Sequence, residues 1–243
     1  MENISKWISG KGALFIAIFS FAVLIADQIK FSAVWGAASQ YFTAFQFIGP
    51  IAGGILGPVV GVISVLFAEL ISFIYLGKAF DAINILRLTP MLFAAYYFAT
   101  FGSKRGLKGN YALLAPVAAM LLFVIHPVGG EAWYFSLFWL IPVVAALFFK
   151  DNLLARSLGA TFAAHSIGSV VWLYSFPTTA GFWAALMPIV VYERAAFAVG
   201  IALSFVLFNA VLARLESKFG SGFLRIDRRY SLFGKAQPVK SRK

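Results

Sequence analysis

Apolar runs of about 20 residues return along almost the whole chain, each long enough to carry an α-helix across a hydrocarbon layer roughly 30 Å thick. Inside lipid every backbone N–H and C=O must be satisfied by the protein, and a helix does this within one segment. Read against loop punctuation, the runs predict spans at residues 12–29, 31–48, 51–76, 85–101, 111–126, 134–149, 157–175 and 183–213. The second is the most polar, with Trp35, Ser39, Gln40, Thr43 and Gln46. It reads as a re-entrant segment or as one fused to its neighbours, which sets the range at six to eight crossings. The expected fold is therefore all-α: a polytopic helical membrane protein in the cell membrane, with one transmembrane domain over residues 1–213.

Composition argues the same way. Of 243 residues, 61% are hydrophobic and 12% charged, against about 45–50% and about 25% in an average soluble domain. A formal charge of +11 would suggest nucleic acid in a soluble protein. Here Lys104, Arg105 and Lys108, then Lys150 and Arg156, then the tail from Arg214 to Lys243 sit in loops and at the end of the chain. They read as cytoplasmic topology signals, so no nucleic-acid partner is expected. Residues 214–243 form a basic cytoplasmic tail suited to anionic lipid headgroups. With eight crossings Lys6 and Lys11 also fall inside, so both termini are cytoplasmic. Residues 127–133 and 176–182 fall outside, where Trp133, Tyr134, Trp172, Tyr174 and Trp183 suit an interfacial aromatic belt. The segment MENISKWISGKG precedes an apolar run with no small-residue cleavage pattern after it, so that run is expected to be a retained helix.

The residues able to do chemistry are few. Cysteine is absent, which excludes disulfides, thiolate metal sites and cysteine nucleophiles. The chain has no HExxH, GxGxxG, Walker loop or GxSxG, and its two histidines, His126 and His165, lack a carboxylate cluster at metal spacing. Neither a metal nor an organic cofactor is expected.

Charges inside the spans are the stronger signal, because each costs about 2.5–3.5 kcal/mol even on the mildest insertion scale. Glu69, Arg87, Glu193 and Arg194 sum to zero and all fall in the outer half of the layer. Glu193 and Arg194 are adjacent and point roughly 100° apart on a helix. Each is therefore expected to find its own partner, with Glu69 to Arg194 and Arg87 to Glu193 the first pairings. On the seventh span Thr161, His165 and Ser169 recur every four residues with Ser166 alongside, a polar stripe that must face protein or water. Its histidine suits a hydrogen bond to a ligand or a proton relay, and equally a bond between helices. The candidate substrate-binding residues are Glu69, Arg87, His165, Ser169, Trp172, Glu193 and Arg194. Gly49, Gly53, Gly57 and Gly61, with Pro50 and Pro58 among them, predict a groove that another backbone approaches closely, with a helix bend or break at the prolines.

The stretch ILGPVVGVISVLFAELISFIYLG, the polar turn KAFDAINILR and the apolar TPMLFAAYYFATFGSKRG together resemble the substrate-binding S components of energy-coupling-factor (ECF) vitamin transporters. The carriers of the resemblance, over about residues 12–110, are the GPxxG element at Gly57-Pro58-Val59-Val60-Gly61 and the helix ending in a basic turn. Small residues spaced by four in the first helix, Ala13 with Ala17 and Ala22 with Ala26, also match. The resemblance implies a helical bundle that binds a small molecule near its outer face and works with a transmembrane coupling subunit and two ATPases. An intramembrane enzyme acting on a lipid-linked substrate is a second reading, with Glu69, His165 and Glu193 as acid–base groups and the arginines on phosphate. A homo-oligomeric channel or scaffold packed through the glycines is a third.

The topology is directly testable because the native chain has no cysteine to remove. Ser103→Cys should stay unlabelled by an impermeant maleimide in intact cells and react after lysis. Labelling from outside would invert the map.

Overall fold

The computed structural model describes residues 10–36, 40–101, 111–219 and 225–230. Over these residues the chain is predominantly α-helical, with one small β-hairpin. The proposed cytoplasmic loop 102–110 and residues 1–9 and 231–243 of the termini lie outside the described residues.

Helix α1 (Gly10–Gln28) leads into strands β1 (Lys30–Ala33) and β2 (Tyr41–Thr43). The strands pair antiparallel, with Lys30 opposite Thr43, Ser32 opposite Phe42 and Ala33 opposite Tyr41. This replaces the predicted second span at 31–48. Ser32, Gln40 and Thr43 spend their polar groups on side chains of other elements, as a lipid-facing helix would not let them do. Helix α2 (Phe45–Leu56) follows, and then α3 (Pro58–Tyr75).

The predicted span 51–76 is thus two helices, broken at Gly57. Pro58 has no N–H to continue the ladder and takes the first turn of α3 instead. Gly57 adopts φ 87° and ψ 172°, a conformation essentially restricted to glycine. The break lets α3 leave α2 closely enough that a Cβ on Gly61 would lie 2.6 Å from the Gly53 Cα and 2.7 Å from the Ala52 oxygen. A Cβ on Gly53 would collide with the Ala95 carbonyl of α5. The glycine spacing therefore serves close backbone approach within this chain.

Short α4 (Ala82–Leu86), capped by the Asp81 carboxylate on the Asn84 N–H at 2.8 Å, turns the chain into α5 (Thr89–Thr100). A 3-10 turn at Tyr111–Leu113 opens α6 (Leu114–Ile125), and α7 (Pro127–Glu131) is a single turn. The 3-10 helix Trp133–Leu140 runs into α8 (Ile141–Phe148). Asn152 caps α9 (Leu153–Ser175) through the Ala155 N–H at 2.9 Å. The last helix, α10 (Ala180–Phe219), has 40 residues and contains Pro188. At 1.5 Å per residue it is about 60 Å long, twice the thickness of a hydrocarbon layer.

Successive segments run back and forth between two ends. At one end lie the β-hairpin, the 76–81 turn, the α6–α7 junction and the 176–179 turn. At the other lie the Gly57 break, Phe101, the 149–152 turn and residues 225–230. The tail is more than a solvated basic segment, because 225–230 dock on this second end. The Arg225 N–H donates to the Ile55 carbonyl at 2.8 Å. The buried Asn209 amide brackets Asp227, donating to its carbonyl at 2.6 Å and accepting from its N–H at 2.7 Å. Arg229 bonds the Asp227 carboxylate at 2.7 Å and reaches Asp151 at 3.3 Å. Burial pushes the Asp227 carboxyl up, but the bonds from Arg229 and its charge outweigh that and hold it below the usual carboxylate range.

The larger core cluster, rich in alanine, joins α1, α2, α3, α5, α9 and α10. A second, aromatic cluster packs Phe123, Phe135, Trp139, Phe162 and Trp183. Three helices, Pro58–Tyr75, Ala82–Thr100 and Ala180–Arg214, are long and apolar enough to cross a membrane. Shorter apolar helices accompany them at Ile16–Gln28, Phe45–Leu56, Tyr111–Ile125 and Trp133–Phe148. Bulky side chains such as Ile63, Phe67 and Ile74 of α3 and Leu203 and Leu207 of α10 remain on the outside, each at least half exposed.

Gly53→Ala and Gly61→Ala should each lower stability by about 1–3 kcal/mol or more, because the new methyl meets backbone rather than a movable side chain. Thermal melting in detergent against Gly77→Ala checks this. Gly77 has open space around it but a positive φ, so it reports backbone strain without overpacking. Equal melting of Gly53→Ala, Gly61→Ala and wild type would show that the helices can part at no cost.

Candidate functional site

Beneath the β-hairpin lies a cavity of about 270 Å³, and all seven candidate residues line it: Glu69, Arg87, His165, Ser169, Trp172, Glu193 and Arg194. They come from α3, the α4–α5 junction, α9 and α10. The polar stripe of α9 faces this space through His165, Gly168, Ser169 and Trp172. Its other members bond elsewhere: Ser166 donates to the Ala163 carbonyl at 2.8 Å, and Thr161 accepts from Arg194.

The charges are paired differently from the sequence expectation. Glu193 and Arg194 form an ion pair with each other, Arg194 Nη2 to Glu193 Oε2 at 3.2 Å, and both residues are buried. Long side chains that leave the helix about 100° apart converge because each bends toward the hairpin. There Ser32 Oγ donates to Glu193 Oε1 at 2.9 Å. The Arg194 guanidinium lies 4.4 Å from the Phe197 ring centre and 4.9 Å from that of Phe42. Such cation–π contacts contribute about 0.5–2 kcal/mol each. Its Nη1 reaches Thr161 Oγ1 at 3.4 Å, while its buried Nε has no partner.

Arg87 pairs with neither Glu193 nor Glu69. It stands at the exposed rim and donates from Nη2 to the Gln40 side-chain oxygen of the hairpin. Among the described residues Glu69 has no ion pair, and its buried Oε2 has no hydrogen-bond partner. Nearby Asp27 is well supplied, accepting from Thr43 Oγ1 at 3.0 Å and from Ser72 Oγ.

His165 is held in one tautomer. The indole N–H of Trp139 can only donate, and it meets His165 Nδ1 at 3.1 Å. The proton of the neutral ring therefore sits on Nε2, beside Ser169 Oγ at 3.4 Å. Phe135 and Phe162 pack against the ring at centroid distances of 5.7 and 5.9 Å. The imidazole thus presents an N–H from a rigid aromatic collar.

Sequence reasoning missed the contribution of the hairpin: Trp35, Gln40 and Phe42 line the cavity, with Gln46 just after. It also left out Trp183, whose indole N–H bonds Thr178 Oγ1 at 3.2 Å. The polarity of residues 35–46, which weakened their reading as a span, was the available signal. Among the described residues no group of three or more His, Asp or Glu side chains is placed to hold a metal ion.

The Glu193–Arg194 pair makes a clear double-variant case. Glu193→Gln alone should cost about 3–5 kcal/mol, since it leaves the Arg194 charge buried without its partner. Adding Arg194→Met should restore most of that stability. Melting temperatures of the two variants decide it, and a double variant no more stable than Glu193→Gln would rule out pairing as the source of the loss.

No protein family model matches the chain, and no solved structure matches it. It is similar to an uncharacterized protein of Methanocaldococcus jannaschii, 25% identical over 177 residues. The alignment covers 73% of this chain and 58% of that relative, so the chain spans less than two thirds of the relative's length.

Proposed function

We propose that the protein is a multi-pass cell-membrane protein with eight crossings and cytoplasmic termini, and that it binds a small molecule in the outer half of the membrane. In this reading it is the substrate-binding subunit of an ECF-type uptake system, working with a transmembrane coupling subunit and ATPase subunits. One observation carries the binding role: Glu69, Arg87, Glu193, Arg194 and the ordered His165, drawn from separate helices, line one cavity near one end. Buried charge is costly, and a bundle that needed polar groups only for packing would have no reason to gather them around empty space. The 149–152 turn with Lys150 and the docked 225–230 segment with Arg225 and Arg229 belong to the opposite end. The preference for positive charge on the cytoplasmic side supports an outward-facing cavity. The ECF assignment rests on the GPxxG element and on the small-residue spacing of α1, both resemblances in sequence.

Native mass spectrometry of the protein purified from its membranes should reveal a bound small molecule. Its retention should fall about tenfold in His165→Ala and Trp172→Ala at near-wild-type melting temperature. Co-purification of ATPase subunits would support the ECF assignment. A symmetric homo-oligomer without retained ligand would favour a channel instead, and turnover of a lipid-linked substrate an enzyme.

A further inference from the structure

Of the four charges on the cavity wall, two are already used up. Glu193 and Arg194 neutralise each other and take further bonds from Ser32 and to Thr161. Glu69 and Arg87 remain, one an acid and one a base, and among the described residues neither forms an ion pair. Arg87 spends one Nη2 bond on the neutral Gln40 amide, which supplies no countercharge. Glu69 Oε2 is shut away from solvent, with no donor among the described residues. A buried carboxylate oxygen without a partner carries its full desolvation cost until a donor arrives, and a cationic donor offsets the most. Guanidinium groups in turn favour carboxylate or phosphate oxygens, which accept two parallel N–H bonds.

The same wall carries the aromatic side chains of Trp172, Phe182 and Trp183. Trp172 packs against Phe176, the ring centres 4.4 Å apart and the planes tilted by 37°. The His165 Nε2–H adds one donor along that wall. Resting on the proposed small-molecule role of the cavity, we infer that its ligand is a zwitterion on a planar skeleton. It carries an ammonium-type group for Glu69 and an anionic group for Arg87. The two charges of such a ligand match the two unpaired wall charges, so the filled cavity stays neutral.

Three probes with one skeleton test this: 4-(aminomethyl)benzoate with both charges, benzylamine with the cation alone and 4-methylbenzoate with the anion alone. Binding to the full chain in lipid nanodiscs is read by calorimetry and tryptophan fluorescence. The zwitterion should bind at least about tenfold more tightly than either singly charged probe. Glu69→Gln should reduce the zwitterion to the affinity of 4-methylbenzoate, and Arg87→Gln should reduce it to that of benzylamine. Glu69→Gln is isosteric and removes an unpartnered charge, so it should melt no lower than wild type. Arg87→Gln, at the exposed rim, gives an independent arm should Glu69→Gln fail to fold.

Equal affinities for the three probes, a preference for a singly charged one, or a zwitterion preference untouched by both variants would each overturn the inference. So would binding of none of them. The small-molecule reading fails on a separate result: purified protein that carries no ligand by native mass spectrometry.

Discussion

A charge among apolar side chains must find compensation inside the protein, and the cavity end of this bundle is arranged around that requirement. Arg194 is the most demanding case. It is buried on a helix with no acidic neighbour one turn away, so it turns to the adjacent Glu193, to Thr161 on α9 and to the rings of Phe42 and Phe197. These contacts tie α10 to α9 and to the hairpin. Ser32 on Glu193, Gln40 on Arg87 and Thr43 on Asp27 then fix the hairpin to α10, to the α4–α5 junction and to α1. A segment too polar to cross lipid is thus held in place by the charges it compensates.

The same end is stiff where an ordinary helix bundle would be adaptable. His165, Trp139, Phe135 and Phe162 form one interlocked group, with the imidazole committed to a single tautomer by a donor-only indole. In the proposed binding role, pre-set donors would lose little freedom on ligand capture. The opposite end is built from backbone proximity. There α2, α3 and α5 approach through glycine and alanine, and Asn209 with Asp227 returns the chain past the end of α10. Close backbone packing thus holds one end together, and compensated charge with interlocked rings holds the other.

Much of this was legible in the residues. The apolar runs dictated helices, since no other element satisfies its own backbone groups along a single segment in lipid. The cost of buried charge marked Glu69, Arg87, Glu193 and Arg194 as unusual, and four-residue spacing put His165 and Ser169 on one face. The glycine–proline series marked a break. What local reading misjudged followed from long side chains and from partners distant in sequence. The 100° between Glu193 and Arg194 describes their Cβ directions, while their charged ends lie several bonds further out and meet. Residues 31–48 read locally as a polar span or re-entrant segment, yet their polar groups bond partners as remote as Glu193, 161 positions from Ser32.

By itself the sequence determined a predominantly helical chain with a small set of costly charges, because hydrophobic length and the cost of ionisation in a low dielectric depend on residue type alone. Tertiary structure decided which charges cancel and which remain, that the Gly57 break turns one apolar run into two helices, and that the polar hairpin closes over a cavity. Those outcomes depend on distances between side chains far apart in the chain, which are set only when the helices pack.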